Sequence, residues 1–181
     1  METAKHRAVR NWAAAHKKEL HAQGFVLLGA PGIGKSTFVL EHYRDWVDQD
    51  EILSELGVHT KAWHTTSHSD VEEEAHYREC DAWLAIMRKC GVWVIGSLFW
   101  DPHTVDGIVL LNEEKHKYYV GQRDDLDWDK VEKIVKFLIS FAKEHGIATY
   151  ASIEEAAAMA QTCDQIGNAY KFFEFLCGRI I

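Results

Sequence analysis

This 181-residue chain has no apolar run approaching the ~20 residues of a membrane-spanning helix, and its charged N-terminus lacks a signal-peptide profile. A cytosolic setting is therefore expected. The four cysteines, Cys80, Cys90, Cys163 and Cys177, show no CxxC spacing. They read as reduced, mostly buried thiols, not as disulfides or zinc ligands. The 11 histidines are scattered along the chain, and no histidine metal site is expected. Positive charge is in deficit, with 20 Lys and Arg against 28 Asp and Glu, a net charge of −8. That argues against a protein that coats a phosphate backbone, but leaves open a nucleic acid reaching one local groove. Repeats, linkers and low-complexity segments are also missing. With 47% hydrophobic and 27% charged residues, the chain reads as a single domain over residues 1–181.

Against these absences stands one complete motif. Gly29-Ala30-Pro31-Gly32-Ile33-Gly34-Lys35-Ser36 matches G-x-x-x-x-G-K-[ST], a phosphate-binding loop. The apolar run Phe25-Val26-Leu27-Leu28 reads as a buried strand feeding it. Thr37-Phe38-Val39-Leu40-Glu41 reads as the helix after it. Glycines let the backbone turn tightly enough for successive N–H groups to converge on phosphates. Lys35 is expected to reach the outer phosphates and Ser36 to ligate magnesium, with the helix N-terminus adding positive potential. The motif implies a nucleoside triphosphate ligand, ATP or GTP.

The rest of the chain alternates. Residues 3–22 read as an amphipathic helix forming an N-terminal extension (1–22) that packs as an appendage. Trp46 to Leu53 reads as a second strand that carries acids, Gly91 to Gly96 as a third, Gly107 to Leu111 as a fourth and Gly146 to Tyr150 as a fifth. Between them fall a loop over 57–69, a helix from Asp70 (its cap) to Lys89, and a lid segment at 113–125 opened by Asn112. Next come an amphipathic helix with Val131, Ile134, Val135, Leu138 and Phe141 on one face and a helix capped by Ser152. The tail, 161–181, reads as a core-covering helix or a dimer contact. This pattern predicts an α/β, three-layer P-loop NTPase fold, about five parallel strands with helices on both faces. In such a sheet the ligand lies outside the carboxyl ends of the strands.

Asp48 and Asp50 stand beside the phosphate loop on that reading. A spacing of two puts both on one face of an extended segment. Phosphoryl transfer to a hydroxyl needs a carboxylate at the attacking oxygen and an acid near magnesium. Asp50 is the favoured base and Asp48 its neighbour or a metal-shell ligand, with the reverse assignment open. The loop bearing Trp63, His64, Thr65, Thr66 and His68, together with Trp100, Asp101 and His103, is expected to face the acceptor. Aromatic, imidazole and hydroxyl groups suit a planar base or a sugar.

The order of phosphate loop, helix, strand with Asp-x-Asp, third strand ending in glycine, lid and last strand resembles the small P-loop kinases over residues 25–160. That group includes shikimate and gluconate kinases, nucleoside and nucleotide kinases, and phage-type polynucleotide kinases. The resemblance implies that Asp48 or Asp50 touches the acceptor hydroxyl and that Gly96-Ser97 lines the acceptor pocket. It implies that Arg123 clamps the transferring phosphoryl group, with Lys115 and Lys117 behind it. Two departures matter. Between residues 89 and 130 the only arginine is Arg123, which disfavours an acceptor carrying its own phosphate dianion. No apolar run ends in the Asp-Glu pair of an ATPase, Asp101 being the nearest acid, and nothing matches a guanine-reading N-K-x-D.

Three functions are compatible with these residues, in order of preference. The first is an ATP- and magnesium-dependent kinase acting on a hydroxyl of a nucleoside, nucleotide or similar small polyol. The second is a kinase acting within DNA or RNA, on a 5′ end or a hydroxymethylated base, as in a 5-hydroxymethyluracil DNA kinase. The third is a nucleotide-gated switch or ATPase that binds a partner through its aromatic tail.

Overall fold

The computed structural model describes residues 2–59, 63, 66–97 and 101–177, and the side chains among them as far as Lys171. Five strands form one sheet: β1 (Phe25–Gly29), β2 (Trp46–Asp48), β3 (Trp93–Gly96), β4 (Gly107–Val109) and β5 (Thr149–Tyr150). Their order is β2-β3-β1-β4-β5, and every neighbouring pair is parallel. The chain steps to one side of β1 for β2 and β3 and then to the other for β4. The carboxyl end of β1 is therefore the switch point of the sheet, where parallel α/β sheets leave a crevice.

Alternation along β1 builds the three layers. Val26 and Leu28 point into one core with Val9, Trp12 and Ala13 of helix α1 (Ala4–Ala15), Ile52 and Leu53 of α3 (Gln49–Glu55), Leu84 and Met87 of α4 (Asp70–Lys89), and Leu138 and Phe141 of α6 (Trp128–His145). Phe25 and Leu27 point the other way, against Phe38 and Val39 of α2 (Lys35–Glu41) and Ile153, Ala156 and Ala160 of α7 (Ile153–Cys177). Each fully buried aliphatic side chain of β1 contributes about 2 kcal/mol of hydrophobic stabilisation. With its phosphate loop, this is a three-layer α/β P-loop fold. No helix among the described residues is long and apolar enough to cross a membrane.

Several elements differ from the sequence expectation. The N-terminal helix stops at Ala15, because Lys17 takes a left-handed φ of 54°. It is no appendage: Trp12 donates from its indole N–H to Glu55 at 2.7 Å, tying α1 to α3. The second strand ends at Asp48, and the chain continues as helix α3 rather than as further strand. Asp48 caps that helix, and Asp50, Glu51 and the apolar pair Ile52-Leu53 then sit as a helical first turn demands. Helix α4 is capped by Ser69, not Asp70, in a capping box with Glu72. The tail does not begin a new element, since α7 runs unbroken from Ile153 to Cys177. In its described part Ile166 and Tyr170 are exposed, so this stretch does not cover the core.

Candidate active site

The phosphate loop leaves β1 at Gly29 and enters α2 at Lys35. Gly34 caps that helix with φ 93°, and Gly32 has φ 85°. Both lie in the left-handed region that side chains disfavour. Gly32 is also pressed from outside, since a Cβ there would meet Val120 Cγ2 at 2.8 Å. The Lys35 ammonium donates to the carbonyls of Gly29 and Ala30 at 2.9 and 3.0 Å, so it is held inside the curve of its own loop. Burial there pushes the Lys35 pKa down to about 8; Asp48 and Asp50 pull it up and Arg123 pushes it further down. These influences place both acids and the arginine around one cation.

All of them line a single open cavity of about 660 Å³. Its floor is the loop from Pro31 to Thr37, and its walls include Asp48, Asp50, Ser97, Lys115, Tyr119, Arg123 and Glu154. Asp48 accepts the backbone N–H of Asp50 at 2.9 Å. The pair is therefore not the one-face ladder of an extended strand: the cap orients the first carboxylate while the second projects exposed from the helix's first turn. Burial raises the pKa of Asp48, and the charge of Asp50 adds to the rise, against the capping hydrogen bond and Lys35. Ser36 and Asp48 both border the cavity, and their hydroxyl and carboxylate oxygens form a donor set suited to magnesium.

The segment expected as a lid, 113–125, holds helix α5 (Glu113–Val120), capped by Asn112. Its inner face rests on the phosphate loop through His116, a residue that no sequence motif marks. His116 is 2% exposed and its Nε2 lies 2.8 Å from the Pro31 carbonyl, with Trp128 edge-on to the ring. Arg123 lies beyond the helix, exposed, with its guanidinium fork on Asp125 at 2.6 and 2.9 Å. Lys115 borders the cavity, whereas Lys117 pairs with Glu113 and lies over the Trp128 ring.

The other expected acceptor residues scatter. Ser97 borders the cavity, but Gly96 does not: it is glycine because the side chain of Gln49 occupies the space a Cβ would need. Asp101 stays out of the cavity and ties its own turn, accepting from His103 N at 3.0 Å and Thr104 Oγ1 at 3.2 Å. Trp63 is stacked on His68 at 3.5 Å and on His76 at 3.8 Å. Two near-parallel rings that close to one indole cannot share a face, so both faces of Trp63 are covered by the protein itself. That removes the expected platform for a base. His64, Thr65 and Trp100 lie outside the described residues.

No family model matches the chain, and no curated protein matches it. Among solved structures it is similar to a chain of the Pnkp1/Rnl/Hen1 RNA repair complex, at 20% identity and a TM-score of 0.44 over 72% of this chain and 48% of that one. It therefore spans about half the length of that neighbour. It is also similar to shikimate kinase from Bacteroides thetaiotaomicron, at 12% identity and a TM-score of 0.47 over 80% of this chain and 97% of that one. Likeness of this extent identifies neither an activity nor a substrate. The fold assignment rests on the sheet order and the phosphate loop.

Proposed function

We propose that this chain is a kinase that transfers the γ-phosphoryl group of ATP to a hydroxyl of a nucleoside, nucleotide or similar small polyol. The observation that carries the reading is the shared cavity, with the phosphate loop on its floor and Asp48 and Asp50 on its wall. Lys35 turns from the loop carbonyls onto the outer phosphates, while the loop N–H groups and the start of α2 hold the chain of phosphates. Ser36 and Asp48 would hold magnesium, which would supply charge neutralisation at the transferring group. Asp50, exposed to the cavity, orients the acceptor hydroxyl and takes its proton. Arg123 releases Asp125 to meet the phosphoryl group, and α5, seated on Pro31 through His116, brings it there.

A small acceptor is favoured over a polymer for two reasons. The chain carries a net charge of −8, which argues against a protein that coats a phosphate backbone, and the cavity wall sets Lys115 and Arg123 among the acids Asp48, Asp50 and Glu154. The deciding experiment incubates the chain with γ-labelled ATP and magnesium against two acceptor sets. One is a pool of nucleosides, nucleotides and sugars; the other is single- and double-stranded DNA with and without hydroxymethylated bases. Label on a small molecule is the expected result. Label on DNA moves the acceptor to a nucleic acid, and label in free phosphate alone, with both sets present, means a nucleotide-hydrolysing switch.

A further inference from the structure

We propose that His59, His76 and Cys80 form a zinc site. The proposal stands apart from the phosphotransfer reading. His76 and Cys80 lie one turn apart on α4 and so share a face. His59 comes from just beyond α3, its backbone N–H donating to Leu53 O at 3.1 Å. One ligand atom from each residue falls within 4.8 Å of the other two. His59 Nδ1 is 2.7 Å from His76 Nε2, and Cys80 Sγ is 3.6 Å from that same nitrogen.

Those separations approach tetrahedral zinc. With Zn–N near 2.05 Å and Zn–S near 2.3 Å, tetrahedral angles require N···N of about 3.3 Å and N···S of about 3.6 Å. The distance from the sulfur to His76 fits as it stands, the two nitrogens need to part by about 0.6 Å, and the sulfur and the His59 nitrogen, within 4.8 Å of each other, need to settle at about 3.6 Å. Imidazole, imidazole and thiol are the donors a borderline-soft d¹⁰ ion selects, whereas magnesium and calcium prefer oxygen. The orientation of His76 is set independently, because Trp63 stacks on its ring at 3.8 Å and Tyr77 meets it edge-on at 5.6 Å. His59 and Cys80 are buried, and His76 is half-buried. Among the described residues the site offers three protein donors.

Binding balances simply. Cys80 gives its thiol proton to solvent. In the zinc-bound form both imidazoles are neutral, His59 with its proton on Nε2 and His76 with its proton on Nδ1; the proton shared between Nδ1 and Nε2 in the metal-free protein moves to the other nitrogen of its own ring, so one proton leaves per zinc bound. The ion would pin the residue beyond α3 to the middle of α4. Because Asp48 caps α3 and Asp50 stands in its first turn, this braces the helix that presents the two carboxylates to the cavity.

The test uses the full chain, stripped with a chelator and kept free of nucleotide, titrated with cobalt and then zinc. One equivalent of cobalt should give tetrahedral ligand-field bands and a thiolate-to-cobalt charge-transfer band, both displaced by zinc. Cys80→Ala should abolish the charge-transfer band. His59→Ala or His76→Ala should weaken zinc binding by more than about 100-fold, beyond the range of a residue that merely supports a ligand. His68→Ala, on the far face of Trp63, should leave it within a few-fold. Should Cys80→Ala not fold, a chain retaining Cys80 but lacking the other three cysteines should still show the band. Absence of stoichiometric binding, a band that survives loss of Cys80, or only the octahedral spectrum of an oxygen site at the phosphate loop would overturn the proposal.

Discussion

The two sides of the cavity are built on different principles. The phosphate side comes from eight consecutive residues and works through main chain: two left-handed glycines, a helix N-terminus, and a lysine folded onto the carbonyls of Gly29 and Ala30. The side that the proposed function gives to the acceptor is assembled from the start of α3, from Ser97 after β3 and from Arg123 after α5. These are side chains brought together only by the fold. A site made of contiguous backbone leaves its signature in sequence, because the geometry restricts which residues can stand there. A site made of converging side chains restricts each position weakly, and its signature is faint.

The sharpest way to separate the two sides is to remove the cation of the first. Lys35→Met should reduce phosphoryl transfer by about a thousandfold or more, the scale of losing a preorganised charge at a transferring phosphate. The same change should make the free protein more stable, by about 1 kcal/mol. Holding a buried ammonium with a pKa near 8 is costly at neutral pH, and the two loop carbonyls that lose their donor offset part of the gain. Rate assays and thermal unfolding on one preparation would check both signs. A less stable Lys35→Met protein would mean the lysine is structural glue for the loop.

Asp50→Asn is the matching cut on the acceptor side. It should lower transfer by about a hundredfold or more while leaving nucleotide affinity within a factor of about two, since a general base acts only on the attacking hydroxyl. Asp48→Ala should behave differently, lowering stability by about 1 kcal/mol through the lost cap as well as lowering transfer. Equal behaviour of the two variants, in stability and in the split between affinity and turnover, would erase the division of labour between them.

Legibility in the sequence divides along the same line. The sheet, the phosphate loop, and the helices of the second half can be read from apolar runs and cap residues such as Asn112. The segment Trp46–Leu53 misleads because it offers two patterns at once: a spacing of two between Asp48 and Asp50 that suits a strand, and a cap trailed by acids that suits a helix. The helix wins because Ile52 and Leu53, adjacent in sequence, both reach the core on one side of the sheet, which a strand does not allow. His116 carries no local signal, its role depending on a carbonyl 85 residues away. The Trp63 loop reads as a surface for an acceptor because its stacking partners, His68 and His76, come from within the chain and only the fold shows them occupying both faces. The histidines read as scattered for the same reason, although His64 and His68 stand four apart in sequence. It takes the packing of α4 against the residues after α3 to bring His59 to His76 and Cys80.

The smallest effect, and the one that isolates the phosphate side without changing its shape, comes from pH. In the free protein Lys35 loses its proton near pH 8, chiefly because burial disfavours its charge. A triphosphate favours the charged form, so the lysine pKa in the complex lies higher, and binding above pH 8 takes up a proton. Nucleotide affinity should therefore hold steady below pH 8 and fall as pH rises through and beyond it, by up to about tenfold per pH unit, until the pKa of the complex is reached. The sign for stability is opposite. The unfolded lysine keeps its proton to about 10.5, so between about 8 and 10.5 the unfolded chain binds more protons, and this group's contribution to stability rises with pH. Titration calorimetry across pH 7 to 10 in buffers of differing ionisation enthalpy would count the proton directly. Lys35→Arg, which stays charged throughout, should bind with a flat profile. If the falloff persists in Lys35→Arg, a different group is titrating and the buried lysine is not the pH-sensitive element of the loop.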